Sequence, residues 1–279
     1  MSRLAVDIGG THLRYELIGE REEACGTVSS RETEPTRFIE SMLKRYPEID
    51  AVAVSFAGQV NEGTIVAAPN IEVAVSEIQN HFESRYGIRL KIENDLNCAA
   101  LAESVYWGDG ELVALYSGTG LGSGIVEKGE ICHGWRSLAG EIGHVPYREA
   151  PFSCGCGKNN CLELYASGSG IEKWMRQAGC AGDPDLKRLY ESSDPECRKI
   201  AEYYIEALLH ASATMVTLLN PKTLVLGGGV IQHNPFLLPI VRERIGAYAL
   251  GASLEGLRIE ATRIENASLE GAKLLLDTM

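Results

Sequence analysis

The first apolar run, Leu4-Ala-Val-Asp7-Ile, is continuous except for one carboxylate and reads as a buried strand. The turn Gly9-Gly10-Thr11 follows, and His12 to Ile18 returns as a second strand, so the chain opens on a hairpin with a glycine tip. Residues 34–45 carry a helical pattern, with Phe38, Ile39, Met42 and Leu43 on one face. Ala51 to Ser55 is a strand turned by Ala57-Gly58, and Pro69-Asn70 marks a loop. An amphipathic helix over 76–86 then ends at Gly87. Ile88 to Ile92 is a further strand; Glu93-Asn94-Asp95 lies at its carboxyl end, and a helix over 96–106 follows at once. A second glycine-tipped hairpin spans Leu112 to Val126 around Gly118-Thr119-Gly120. Past residue 163 the pattern is mostly helical. Asp183-Pro184 and Asp194-Pro195 each read as a cap followed by proline at the first helical position, the second opening a long helix to Leu219. Thr223 to Leu226 is a strand that runs into Gly227-Gly228-Gly229. Asn234-Pro235 starts another helix, 257–261 is the last strand and 268–276 the terminal helix.

The two hairpins share more than a shape. Leu4/Leu112, Gly10/Gly118, Thr11/Thr119 and Leu13/Leu121 are identical at a constant offset of 108. A duplicated strand-turn-strand predicts two related halves. Glycines at both tips allow close backbone approach to a ligand, and a threonine hydroxyl with free N–H groups can cradle phosphate. Two such tips facing one another would grip a polyphosphate from both sides. No G-x-x-x-x-G-K-[ST] loop occurs, and neither tip gives a G-x-G-x-x-G opening a helix, which counts against a dinucleotide site.

Composition narrows the class. The chain has 279 residues, ordinary apolar content and a formal net charge of −12, so it reads as a soluble globular protein of two domains. That charge argues against nucleic acid or an anionic membrane as a general partner. No apolar run is long enough to span a bilayer, and Asp7 would interrupt any secretory signal. Eight cysteines in a chain of this size fit a reducing cytosol, with Cys25, Cys98, Cys132, Cys180 and Cys197 read as ordinary thiols.

The other three cysteines stand apart. Cys154, Cys156 and Cys161 are spaced C-x-C-x4-C shortly after His144, the Cys3His set that tetrahedral zinc prefers. A disulfide pair plus a spare thiol, or three unrelated cysteines, is the alternative; against pairing, three is odd, and Cys154 and Cys156 are too close to bridge comfortably. Four protein ligands leave no position for water, so the zinc would be structural and would hold Glu141, His144 and Glu163 together. Asp95 falls just outside the carboxyl end of a strand, where ligands of open α/β folds collect. Capping of the following helix is its bland role, but a cap needs only one of Asn94 or Asp95. Asp7 inside an apolar strand is costly unless it has a partner or a metal.

Taken together, D-x-G-G-T at Asp7, G-T-G at Gly118, Glu141-Ile-Gly-His144, C-x-C-G-x3-C-x-Glu and the triplet at Gly227 resemble the ROK family (repressor, open reading frame, kinase) of sugar kinases. The resemblance implies an α/β fold of two ribonuclease-H-like (actin-like ATPase) domains with a cleft that closes to exclude water. One domain would take residues 1–110 plus 266–279 and the other, with the zinc site, residues 111–265. It implies phosphate binding by Asp7, Gly9, Gly10, Thr11, Gly118, Thr119 and Gly120, with Gly228 and Gly229 near the adenosine. The catalytic base falls on Asp95, and sugar contacts fall on Gly58, Asn70, Asn94, Asp95, Glu141, His144 and Glu163. The implied reaction is phosphoryl transfer from Mg-ATP to the 6-hydroxyl of a hexose, glucose first, in a cytoplasmic homodimer or homotetramer. Fructose, mannose, allose or an N-acetylated amino sugar are alternative substrates. A non-catalytic sugar sensor and a zinc-binding interaction module are the other classes. The helix N-terminus beside Asp95 is expected to keep it ionised at neutral pH. Two positions depart from the family pattern: Ala57-Gly58 replaces Pro-Gly, and Asn160 replaces glycine. With Asp7 so early, the sequence leaves no room before it for the helix-turn-helix of the family's repressors.

Overall fold

In the computed structural model, which describes residues 2–19, 24–69 and 71–279, the opening hairpin sits at the centre of a five-stranded sheet. The chain divides into two units. The first takes Met1–Trp107, Glu130–Ala139 and Ile264–Met279; the second takes Gly108–Gly129 and Gly140–Arg263.

In the first unit β1 (Ser2–Ile8) pairs antiparallel with β2 (His12–Gly19), and β2 pairs antiparallel with β3 (Ala24–Ser29). On its other edge β1 runs parallel to β4 (Ile49–Phe56), and β4 runs parallel to β7 (Arg89–Asn94). Burial on both faces explains why β1 from Leu4 and β4 from Ala51 read as apolar runs broken only by Asp7 and Ser55 towards their carboxyl ends, without period-2 alternation. One face carries Leu4, Val6, Val52, Val54 and Leu90 against Phe38, Ile39 and Met42 of α1 (Pro35–Arg45) and Ile78 and Phe82 of α2 (Ile78–Tyr86). Each such side chain contributes about 1.5–3 kcal/mol on full burial. The opposite face is built of small residues. Ala5, Ala51 and Ala53 pack on Cys98 of α3 (Asp95–Trp107) and on Leu269, Ala272 and Leu275 of α9 (Ala267–Leu276). Close approach is the reason: a Cβ at Gly271 of α9 would lie 2.0 Å from the Cys98 carbonyl oxygen. A small hairpin, β5 (Gln59–Asn61) and β6 (Thr64–Ala67), follows β4.

The second unit repeats the plan. β8 (Leu112–Ser117) pairs antiparallel with β9 (Leu121–Glu127) and parallel with β11 (Thr223–Gly227), which runs parallel to β12 (Arg258–Ala261). The helices are α4 (Gly168–Ala178), α5 (Leu186–Tyr190), α6 (Pro195–Leu219), α7 (Gly229–His233) and α8 (Leu237–Arg244). Asp194 caps α6 through the Glu196 amide, an interaction worth about 1 kcal/mol, and Asn220 ends it in a left-handed conformation. The two-residue strand β10 (Glu130–Ile131) belongs to the segment grouped with the first unit.

Several local expectations are corrected. β3 carries no strand signal, because it is an edge strand, Ala-Cys-Gly-Thr-Val-Ser, with no fully buried position. α5 is capped by Asp185, whose side chain accepts from the Arg188 amide, not by Asp183. α8 begins at Leu237 rather than at Pro235. Cys180 and Cys197 are not free thiols: they form a disulfide that ties the end of α4 to the first turn of α6. Cys25, Cys98 and Cys132 are free. Among the described residues no helix is long and apolar enough to cross a membrane.

Candidate functional site

In the first unit the candidate chemistry gathers at the carboxyl ends of β1, β4 and β7. Asp7 is 6% exposed, and both its register neighbours are polar: Ser55 on β4 and Arg14 on β2. Ser55 Oγ donates to Asp7 Oδ1 at 2.8 Å, and Arg14 reaches Oδ2 at 3.4 Å. Burial raises the carboxyl above its ordinary value, and these two partners oppose the rise. Strand register is thus the reason a carboxylate survives inside an apolar strand. The turn after it is tight, with the Gly9 amide donating to the His12 carbonyl at 2.9 Å, and Thr11 is exposed.

Asn94 and Asp95 divide the work at the start of α3. Asn94 Oδ1 accepts from the amides of Leu96 (2.9 Å) and Asn97 (3.2 Å), so Asn94 is the helix cap. Its Nδ2 donates to the Gly58 carbonyl (3.0 Å) and to Asp95 Oδ1 (3.1 Å). The whole amide of Asn94 is therefore occupied within the protein, which makes it a support rather than an open sugar ligand. Gly58 takes part through its carbonyl, and a Cβ there would lie 2.5 Å from the Ala67 carbonyl oxygen. Asn70, the other expected sugar contact in this unit, lies outside the described residues.

Asp95 differs electrically from expectation. Burial first, and then the nearby charge of Asp7, push its carboxyl up to about 7, against hydrogen bonds from the Leu96 amide and Asn94. The helix N-terminus alone does not hold it in the ordinary carboxylate range, because desolvation of the charged form outweighs it. A carboxylate poised near neutrality is suited to accept a proton and release it again.

Glu93, Asn97, Ser55, Arg14 and His133 were not singled out by the sequence reading. Glu93 Oε1 accepts from the Asn94 amide (2.8 Å) and from Asn97 Nδ2 (2.9 Å), while Oε2 meets His133 Nε2 at 2.6 Å. Only a register argument, pairing Asp7 with Ser55 and Arg14, could have exposed part of this set beforehand.

The second unit holds the remaining candidates. Gly140 (φ +89°) and Gly143 lie flat on β9: added Cβ atoms would fall 2.3 Å from the Ser123 carbonyl oxygen and 2.2 Å from that of Leu121. Ser123 fixes this arrangement by donating its amide (3.2 Å) and hydroxyl (2.7 Å) to the Gly140 carbonyl. Between these glycines stands Glu141, with His144 one short helical turn further on. His144 directs Nδ1 to Cys154 Sγ at 3.6 Å and Nε2 to Glu141 Oε2 at 3.8 Å. Cys156 and Cys161 approach at 3.3 Å, and the four candidate ligand atoms of His144, Cys154, Cys156 and Cys161 all lie within 4.8 Å of one another. Three soft sulfurs and one imidazole at that spacing fit a single tetrahedral ion.

Glu163 joins this cluster to the glycine-threonine tip. Its Oε2 accepts from the Leu121 amide at 3.1 Å and its Oε1 from Cys154 Sγ at 3.3 Å. A Cβ at Gly120 would sit 2.7 Å from Glu163 Oε2, so a side chain there would displace that carboxylate. The carbonyls of Gly118 and Thr119 accept from the first amides of α4, Gly168 (2.8 Å) and Ser169 (3.1 Å). In the triplet, Gly228 (φ +86°) abuts the Ser117 carbonyl at 2.4 Å from a would-be Cβ, whereas Gly229 faces open space.

A sequence model of the ROK family matches residues 3–279. The N-acetyl-D-glucosamine kinase of Histophilus somni is 29% identical over 255 residues, covering 80% of this chain and 82% of its own. The glucokinase of Streptomyces coelicolor is 27% identical over 281 residues, covering 90% and 89%. Among solved structures, a ROK family glucokinase from Streptomyces griseus in complex with glucose and AMPPNP superposes with a TM-score of 0.78 at 24% identity, covering 99% of both chains.

Proposed function

The chain belongs to the ROK family, and on that premise we propose that it is an ATP-dependent sugar kinase that phosphorylates the 6-hydroxyl of a hexose, glucose first. The observation that carries the reading is Asp95: a carboxyl poised at about 7, with one oxygen tied to the Asn94 amide, at the carboxyl ends of the parallel strands β1, β4 and β7.

Asp95 takes the hydroxyl proton as the sugar oxygen attacks phosphorus, a positioned base contributing roughly 10²–10⁴-fold. Gly58 and Asn94 hold that turn in place. In the second unit Glu141 and Glu163 accept from sugar hydroxyls, and His144 meets one through its free ring nitrogen. Gly9, Gly10, Thr11, Gly118, Thr119 and Gly120 receive the phosphates, and Gly228 and Gly229 the adenosine. Mg²⁺ accompanying ATP would neutralise phosphate charge, with Asp7 its partner through water. Zinc is the ion that suits the Cys3His set; His144, Cys154, Cys156 and Cys161 would hold it, leaving Nε2 of His144 for the substrate.

A second reading keeps the reaction and changes the sugar to an N-acetylated one, and the Histophilus relative favours it. The test is ADP release with Mg-ATP against glucose, fructose, mannose, allose, N-acetylglucosamine and N-acetylmannosamine, with Asp95→Ala alongside. Glucose-dependent ADP that Asp95→Ala abolishes supports the first reading. Turnover confined to an acetylated sugar supports the second, and none with any sugar leaves a non-catalytic sensor.

A further inference from the structure

We propose that His133 is a positioning residue that acts through Glu93 on the turn carrying Asn94 and Asp95. The inference rests on the sugar-kinase reading above and deepens it.

Glu93 brackets that turn. One oxygen takes the Asn94 amide and the Asn97 side chain, so it binds both the residue that caps α3 and the first turn of the helix itself. The other oxygen is held by His133 Nε2 at 2.6 Å, a contact short enough to be charge-assisted. Glu93 is largely enclosed, with 13% side-chain exposure, against 44% for His133. Burial works against the Glu93 carboxylate, yet His133 and Asn97 bring it below its ordinary value. The same hydrogen bond raises His133 against burial.

His133 comes from the segment Glu130–Ala139, which groups with the first unit although the chain on either side belongs to the second. A second bond pins this segment: Ser137 Oγ donates to Asn61 Oδ1 at 3.1 Å. Asn61 ends β5, the strand that follows Gly58, and the Gly58 carbonyl is the one that receives Asn94 Nδ2. Both anchors of the segment therefore land on chain stretches that orient Asn94. The segment closes on itself through the Ala139 amide and the His133 carbonyl (3.1 Å), with Gly134 and Ser137 at positive φ, and leads straight into Gly140-Glu141. A displaced base costs rate even when the fold is intact, because reacting atoms must stay within about 3–3.5 Å of one another.

The experiment compares His133→Ala, His133→Gln, Glu93→Ala and the double variant His133→Ala/Glu93→Ala with the parent. It reads steady-state kinetics with the best sugar of the panel and amide hydrogen exchange over residues 93–97. In His133→Ala we expect exchange across 93–97 at least about tenfold faster and kcat lower by roughly 10–100-fold, with the ATP KM unchanged. His133→Gln, which keeps an N–H for Glu93, should recover about a third or more of the logarithmic loss, and the double variant should be no slower than about twofold below Glu93→Ala. Unchanged exchange at 93–97, or faster exchange with kcat intact, overturns the proposal. A parent that turns over no sugar while exchange still responds to His133 overturns the kinase reading and leaves the physical link in view.

Discussion

The side-chain amide of Asn94 donates to Oδ1 of Asp95 at 3.1 Å, while its own carbonyl oxygen accepts the first amides of α3. Two adjacent polar residues that look interchangeable as caps thus hold separate duties. Asn94 closes the helix, and Asp95 is left with a carboxyl raised to about 7 by burial and by Asp7.

Activity should follow that group. The base must be ionised, so kcat/KM should fall as pH drops through about 7, one decade per unit. A profile flat down to pH 5 would remove Asp95 from the role.

Stability should move the other way. The folded carboxyl sits near 7 and the unfolded one near 3.8, so the protein gains nothing from this group above 7 and is destabilised there relative to acid. Asp95→Asn should therefore be inactive and yet more stable at pH 8, by up to about 4 kcal/mol on linkage of 1.36 kcal/mol per unit, and so melt at a higher temperature. The gap should close as pH falls towards 4. Equal melting temperatures at pH 8 would contradict the burial argument.

One zinc per chain is expected by atomic absorption in the purified protein, absent in Cys154→Ser and retained in Cys98→Ser, since Cys98 packs among alanines away from the cluster. Chelation should raise the sugar KM more than the ATP KM, because His144 and Glu163 lose their mount. Equal zinc in parent and Cys154→Ser would refute the site.

Gly140→Ala should be costly and Gly155→Ala nearly neutral. The first forces a Cβ 2.3 Å from the Ser123 carbonyl oxygen at φ +89°, whereas the second meets nothing within 4 Å. Strain of that kind is of order 1–3 kcal/mol, and it would lift Glu141 from its place; thermal melts and sugar KM check both.

Reduction of Cys180–Cys197 should lower stability by about 3 kcal/mol on the loop-closure estimate for its 17-residue separation. A Cys180→Ser/Cys197→Ser chain should melt at the reduced value and ignore added phosphine. Peptide mapping without reductant that finds both thiols free would refute the bond.

Much of the fold was legible because each sheet centre is largely apolar on both faces and the β1–β2 and β8–β9 hairpins have glycine tips. The long helix ending at Asn220 and the Cys3His spacing were equally plain. What escaped was whatever depends on neighbours distant in sequence. β3 is an edge strand with a glycine inside it, and β5 is only three residues long. The Asp7–Ser55 and Glu93–His133 contacts join residues far apart in sequence, and no local pattern announces them. The Cys180–Cys197 pairing was likewise invisible, since a lone cysteine at a helix end looks the same free or bonded. The place of Asp95 between a strand and a helix is plain from the pattern, but its electrical state is not: the helix end is visible in the sequence, while burial and a second carboxylate are not.

In the first unit only residues 30–34 separate the third strand from the first helix, whereas residues 132–167 stand between β10 and α4, and the part of that stretch in the second unit, from Gly140 on, contains every thiol of the candidate metal cluster. The cysteines thus ride on an insertion that neither sheet needs for its strand order. Starving the protein of its ion should therefore disarm it without dismantling it, leaving a folded chain whose glycine tips are intact but whose Glu141, His144 and Glu163 have lost their common mount.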